Sequence, residues 1–171
     1  MSDESDTVER SSDATERQFD PRRGLPEEVF LFVSRLTPLV NVDLLIRNAA
    51  GQTLLTWRSD RFHGPGWHVP GGIVRFQERT EDRIRAVAAL ELGTTVEFGP
   101  APAFVQQSIA PDRRERGHLI SLLYSCRLCS PLDPSRQFVT QEAPQPGQWA
   151  WHSGAPFDLI LEQSAYAAFM R

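Results

Sequence analysis

Apolar positions along the chain fall into short runs separated by clusters of Gly, Pro, Asn, Asp and Ser, a pattern of several strands and a few helices. The first ordered element is expected at Leu25. There Pro26, Glu27 and Glu28 suit a first helical turn and Val29, Phe30, Phe32, Val33 and Leu36 give an apolar side. Thr37-Pro38 should end it, because a residue before proline avoids the α region. Residues 39–46 are mostly apolar and β-compatible, 48–51 read as a turn and 53–57 as a return strand, which together predict a hairpin. A shaped Gly- and Pro-rich loop around a short strand spans 64–72. Thr80 is a good N-cap with Glu81 and Asp82 behind it, and the helix it opens should run to Leu92 before Gly93. Strands are expected at 103–110, 119–128 and 148–152. A last helix opens at Pro156, with Phe157, Ile160, Leu161, Ala165, Ala168 and Phe169 on one stripe. This order of elements predicts a mixed sheet with helices on its faces.

Composition adds the boundaries. Residues 1–24 are rich in Ser, Asp, Glu and Arg and carry few large apolar side chains, so a disordered acidic tail is expected ahead of a single domain over 25–171. The formal net charge of −4 supplies no basic excess for a nucleic acid polymer and no polybasic patch for a membrane. With no signal-like start and no run of about 18–20 apolar residues, a cytoplasmic protein is expected. Cys126 and Cys129 form a lone C-x-x-C without a second Cys/His pair, which reads as two buried thiols on opposite faces of a strand.

Chemistry concentrates between Gly71 and Thr94. Gly72, Glu78, Glu91 and Gly93, preceded by Trp67, Val69, Pro70 and Gly71, resemble the Nudix box, G-x5-E-x7-R-E-U-x-E-E-x-G-U with U a bulky apolar residue. The box's Arg is here Ala86, the Glu after it Val87, and the first Glu of the E-E pair Leu90. One helical carboxylate therefore remains, Glu91, seven residues after Ile84 and on the side of Ile84, Val87 and Ala88. A carboxylate on an apolar stripe is costly unless it is paired or metal-bound. Both readings stay open from the residues alone.

The same depletion is a feature of the GDP-mannose mannosyl hydrolases, and the similarity to that family runs from Leu25 to Phe169. It is carried by Leu25, Glu28, Phe30, Val33, Arg35, Thr37-Pro38-Leu39-Val40 and Asp43, then by Leu54-Leu55, Arg58, Glu91-Leu92-Gly93 and Trp151. The resemblance implies an α/β (α+β) chain of Nudix fold, a mixed β-sheet sandwiched between helices, acting as a homodimer on a nucleotide-sugar substrate. It implies release of GDP and free sugar from GDP-mannose or a related GDP-hexose, with one Mg²⁺ neutralising the departing diphosphate. The implied metal ligands are the Gly71 carbonyl, the Glu91 carboxylate and the Gln145 side chain, and Asp43 and Arg58 match active-site positions.

Departures from that pattern matter as much. The family's general base, a His after the Gln ligand, is Pro146, and two further Arg positions are Ile73 and Ala86. His63, His68, His118 and His152 are the imidazoles that remain, and His152, beside Trp151, completes the expected catalytic set with Asp43 and Arg58. Arg113, Arg114 and Arg116 lie in a charged loop, and Arg113 and Arg114 are carried with Asp43 and Arg58 as candidate substrate contacts. Glu78 is expected to serve structure. Two other functions compete: a Nudix pyrophosphohydrolase cleaving the phosphoanhydride, and a catalytically impaired nucleotide-sugar binding module.

Overall fold

A computed structural model describes residues 19–139 and 142–170. Most of the expected tail, residues 1–18, lies outside them; residues 21–23 form a turn that leads into helix α1, Glu27–Val33. Eight strands follow in two sheets: β1 Leu39–Ile46, β2 Thr53–Arg58, β3 Gly66–His68, β4 Gly71–Ile73, β5 Val96–Phe98, β6 Phe104–Ile109, β7 His118–Leu128 and β8 Trp149–His152. Helix α2, Thr80–Leu92, lies between β4 and β5. One sheet runs β4-β1-β7-β5 with β6 also on β7, and the other runs β3-β2-β8. The β1–β7 pair is parallel and the remaining ladders are antiparallel, so the sheet is mixed as expected.

β1 divides the interior. Val42, Leu44 and Ile46 point toward α2, where they meet Ile84, Val87, Ala88 and Leu92. The alternate face turns Leu45 toward Leu55, Trp67, Tyr166 and Met170. Full burial of each large aliphatic side chain contributes ~1.5–3 kcal/mol, so the core rather than helix propensity holds α2 in place. The helix stops because Gly93 takes φ 63°, the left-handed cap, with its N–H on the Ala89 carbonyl. Arg79, not Thr80, occupies the N-cap position, and Thr80 is the first helical residue.

Four expectations need correction. The turn at 48–51 forms, with Asn48 Oδ1 accepting the N–H groups of Ala50 and Gln52 at 3.0 Å each, yet β1 and β2 join different sheets and share only the Arg47–Thr53 bridge. Both strands are almost continuously buried and each has its own layer to fill. The last helix is a 3₁₀ segment, Leu161–Phe169. Its three-residue repeat puts Gln163 and Tyr166 inward while Leu161 faces solvent, as does Phe157 before it. α1 buries none of its residues: Phe32 is exposed, and beyond the helix so is Leu36. Finally, Cys126 is buried but Cys129, one residue past β7, is exposed and free.

Candidate active site

The frame of the site follows from one ladder. Leu44 N–H bonds the Pro70 carbonyl at 2.8 Å and Val74 N–H the Val40 carbonyl at 2.9 Å, while Asp43 sits opposite Gly71. Antiparallel alternation makes Asp43–Gly71 a pair without mutual hydrogen bonds, so the N–H and C=O of Gly71 face away from β1. The Gly71 N–H meets the Glu91 carboxylate. A Cβ on Gly71 would stand 2.1 Å from Asp43 Oδ1 and 2.8 Å from the Val42 carbonyl, and one on Gly72 would stand 2.8 Å from Val87 of α2. Glycine is therefore required for β4 to bring Asp43 and the end of α2 together.

Burial tunes both carboxyls. Asp43 is 2 % exposed, and desolvation pushes its pKa up to about 6 against hydrogen bonds that favour the ion. Tyr166 Oη donates to its Oδ2 at 2.7 Å, and Asn41 and Gln163 donate to Oδ1 at 2.8 and 3.3 Å. These partners come from β1 itself and the 3₁₀ segment, a pairing that spacing along the sequence did not disclose. Burial also pushes Glu91 up to about 7, with Arg58 acting against and the Asp43 charge adding to it.

Glu91 and Gly71 open into a cleft of about 440 Å³ lined also by Trp57, Arg58, His68, Leu90, Arg116 and Arg136. Three guanidinium groups thus surround one helical carboxylate. Arg58, at the end of β2, pairs with Asp60. Arg136 donates to the carbonyls of Leu90 and Glu91 at 2.7 and 3.0 Å, capping α2 from the cleft rim. Arg116 adopts φ 53° and lies over the rings of Phe30 and Phe62 at 5.7 and 5.1 Å, while its buried Nε has no partner among the described residues. Left-handed backbone at a non-glycine residue carries a cost, and a buried donor without a partner carries a second. The sequence offered Arg116 only as one of three arginines in a charged loop.

A smaller polar chamber of about 60 Å³ adjoins the cleft, sharing Arg58, His68, Gly71 and Arg116 and adding Asp43, His63, Ser121, Glu162 and Gln163. His68 is pinned on both sides: Nδ1 lies 2.9 Å from the Val69 carbonyl and Nε2 3.0 Å from Thr56 Oγ1. Burial, aided by Arg58, lowers its pKa to about 4, so it is neutral.

Of the expected residues, the structure gathers Asp43, Arg58, Gly71 and Glu91. It holds the others apart from them. The Gln145 side chain is exposed and donates to the Ala143 carbonyl at 3.3 Å in its own loop, although Pro146 and Gly147 reach the cleft. His152 sits opposite Thr53 at the far end of β2 from Arg58, its ring 4.6 Å from Trp67. Arg113 is bound to Glu162, and Arg114 is exposed. His118 lies at the start of β7, 2.9 Å from Gln107 Nε2. Glu78 accepts two bonds from the buried Arg83 guanidinium at 2.8 Å and one from the Arg75 N–H, a structural role.

Among the described residues no group of three or more His, Cys, Asp or Glu could hold a metal ion alone. The donors present, a half-buried carboxylate beside a main-chain carbonyl turned away from its ladder, fit a hard cation that takes its remaining ligands from water and phosphate. They do not fit an all-protein cage.

No family model matches the chain. The low-salt glycan biosynthesis protein Agl8 of Haloferax volcanii is 37 % identical over 76 residues, 44 % of this chain and 48 % of that protein. The match thus spans about half of the curated relative. Among solved structures, a MutT Nudix hydrolase from Burkholderia pseudomallei superposes with a TM-score of 0.58 at 19 % identity, covering 79 % of this chain and 99 % of that one. A possible asymmetric diadenosine tetraphosphate hydrolase from Jonesia denitrificans gives 0.57 at 20 %, covering 80 % and 98 %. An ADP-ribose pyrophosphatase from Streptococcus suis gives 0.52 at 17 %, covering 78 % and 87 %. With its mixed sheet, flanking helix and terminal segments in this order, the chain has the Nudix fold.

Proposed function

We propose that the chain is a hydrolase of a nucleoside diphosphate sugar, GDP-mannose or a related GDP-hexose, that releases the nucleoside diphosphate and free sugar. The observation that carries this reading is the charge arrangement of the cleft: one helical carboxylate, Glu91, shares the lining with Arg58, Arg116 and Arg136, and the second carboxylate there, Asp60, is paired with Arg58. A diphosphate needs cationic donors along its length and one divalent ion, and bidentate guanidinium groups match phosphate oxygens in geometry. Mg²⁺, held by Glu91 and the Gly71 carbonyl, would neutralise charge on the leaving diphosphate. Arg116 and Arg136 stand in for the box arginine lost at Ala86, and the Trp57 ring offers an apolar wall.

Attack at phosphorus is the weaker reading because it draws on further carboxylates to hold more metal. Val87 is in the core and Leu90 is a cleft-wall hydrocarbon, so α2 offers Glu91 alone toward this space. The match to a glycan biosynthesis protein supports a sugar nucleotide in the same direction. Pro146 at the cleft favours a second reading, a binding module without turnover. Incubation with a panel of nucleotide sugars with and without Mg²⁺, resolved by anion exchange, tests both. GDP plus free sugar, lost in Glu91→Gln, supports the hydrolase; nucleoside monophosphate plus sugar phosphate would move the chemistry to phosphorus; binding without products would favour the module.

The chain is also proposed to form a homodimer through α1. Phe32 and Leu36 are exposed there at 57 % and 69 %, and Phe76 lies exposed after β4. Light scattering on the purified protein gives the mass directly, and a monomer at micromolar concentration would refute this. Among the described residues no helix is long and apolar enough to cross a membrane.

A further inference from the structure

We propose that the outer edge of β6, Phe104–Ile109, pairs antiparallel with the same edge of a second copy of this chain. The two sheets then join about a two-fold axis at Gln107. This contact is separate from the α1 surface and does not rest on the substrate reading.

β6 lies at the border of its sheet: β7 holds one side of it, and among the described residues no strand holds the other. Ala110 donates its N–H to the Gly117 carbonyl at 2.7 Å, in register with the ladder that pairs Ile109 with His118. Antiparallel alternation therefore turns the N–H and C=O groups of Phe104, Gln106 and Ser108 toward β7 and those of Val105, Gln107 and Ile109 outward. That outward row is a template for one more strand.

The other sheet borders are short or closed. β4 and β5 have three residues each, β4 bringing Gly71 into the cleft and β5 carrying Glu97 in an ion pair with Arg127. Trp67 of β3 bonds main chain at Asp158 and Ile160, and the Trp149 carbonyl of β8 accepts the Phe138 N–H at 2.9 Å. β6 has none of the usual guards. Its six residues include no proline and no charged side chain, so nothing on it turns an added strand away.

One face of β6 is already used. Phe104 packs on Tyr166 and Phe169, and Gln106 Nε2 donates to the Glu162 carbonyl at 2.9 Å. The other face bears Val105 and Ile109 on the side of the sheet that holds Leu122 and Val42, yet α2 leaves them 54 % and 62 % exposed.

Symmetry and charge select the occupant. With the outward row centred on Gln107, two identical edges meet in antiparallel register when Gln107 faces the partner's Gln107 and Val105 faces the partner's Ile109. These are hydrogen-bonded pairs, giving about six main-chain bonds, two for each of the three pairs. Because the edge is uncharged, it meets its own copy without like-charge repulsion, and Val105 and Ile109 leave water together in cross-strand contact. An isologous contact of this kind closes on itself as a dimer.

Sedimentation equilibrium at micromolar to sub-millimolar concentration tests this in Phe32→Glu/Leu36→Glu, a background that removes the exposed apolar side chains at α1. That variant should retain a two-chain species. Adding Val105→Lys/Ile109→Lys sets lysines opposite one another in both outer pairs and should weaken association at least ~10²-fold, with the circular dichroism spectrum unchanged. In otherwise wild-type protein, Gln107→Cys with the exposed Cys129→Ser should form a disulfide-linked dimer under mild oxidant, since the Cα atoms of a hydrogen-bonded pair stand ~5.5 Å apart. A folded α1 variant that stays monomeric, a dissociation constant untouched by the two lysines, or a Gln107→Cys chain that remains unlinked would each overturn the assignment.

Discussion

Asp43, Gly71 and Glu91, on one side of the cleft and its adjoining chamber, are placed by strand register and by a helix packed through Ile84, Val87 and Leu92, whereas Arg58, His63 and Arg116 on the other side are placed by turns, ion pairs and aromatic faces. The first wall has Gly71 where any side chain would collide, and its ionisable groups are pushed toward their neutral forms by burial. The second concentrates positive charge. The difference teaches how a depleted box can still serve: the rigid frame keeps the single carboxylate, and mobile-length side chains on loops bring the cations that the helix no longer supplies.

Four changes sharpen or break that comparison. Glu91→Gln should lower Mg²⁺-dependent turnover at least ~10²-fold while the melting temperature holds or rises, because the amide relieves a desolvated carboxylate. A large loss of stability would mean that Glu91 belongs to the frame alone. His68 tests the burial of the shared wall: its folded pKa of about 4 lies below the ordinary 6.5, so its contribution to stability is complete above pH 6.5 and is lost as pH falls toward 4. That contribution is ~3 kcal/mol at most. Denaturant midpoints of wild type and His68→Gln should therefore converge in acid, and parallel midpoints from pH 7 to 4 would contradict the neutral assignment.

Smaller effects belong to the loop wall. Arg116→Met removes the guanidinium that lies over Phe30 and Phe62, a charged donor worth ~1.5–3 kcal/mol, so GDP binding with Mg²⁺ should weaken about 10- to 100-fold, while the lost ring contacts should lower stability by ~1–2 kcal/mol. Gln145→Ala should change metal-dependent binding by no more than ~0.5 kcal/mol, since its amide bonds its own loop. A loss of tenfold or more by calorimetry would bring Gln145 into the site on ligand binding.

The same contrast explains what was legible beforehand. Thr80–Leu92 with Gly93 after it, and the strands at Leu39–Ile46, Thr53–Arg58 and His118–Leu128, follow local rules of capping and apolar runs. Their residues, Asp43 and Glu91 among them, were found by position. The short strand β4 was hidden because two glycines carry no β signal, and the 3₁₀ segment was read as an α-helix because a period near three and one near 3.6 share most positions over nine residues. Tyr166 and Gln163, the donors to Asp43, went unseen for that reason. Their three-residue spacing with Ile160 was the available signal. Arg116 had none: its place over Phe30 and Phe62 depends on which loops meet.

Hydrolysis in ¹⁸O-labelled water tests the central claim most directly. With GDP-mannose or the related GDP-hexose that the panel identifies, mass spectrometry should find the label in the released sugar and none in the GDP. Label in a phosphate, or GMP among the products, would contradict attack at the anomeric carbon.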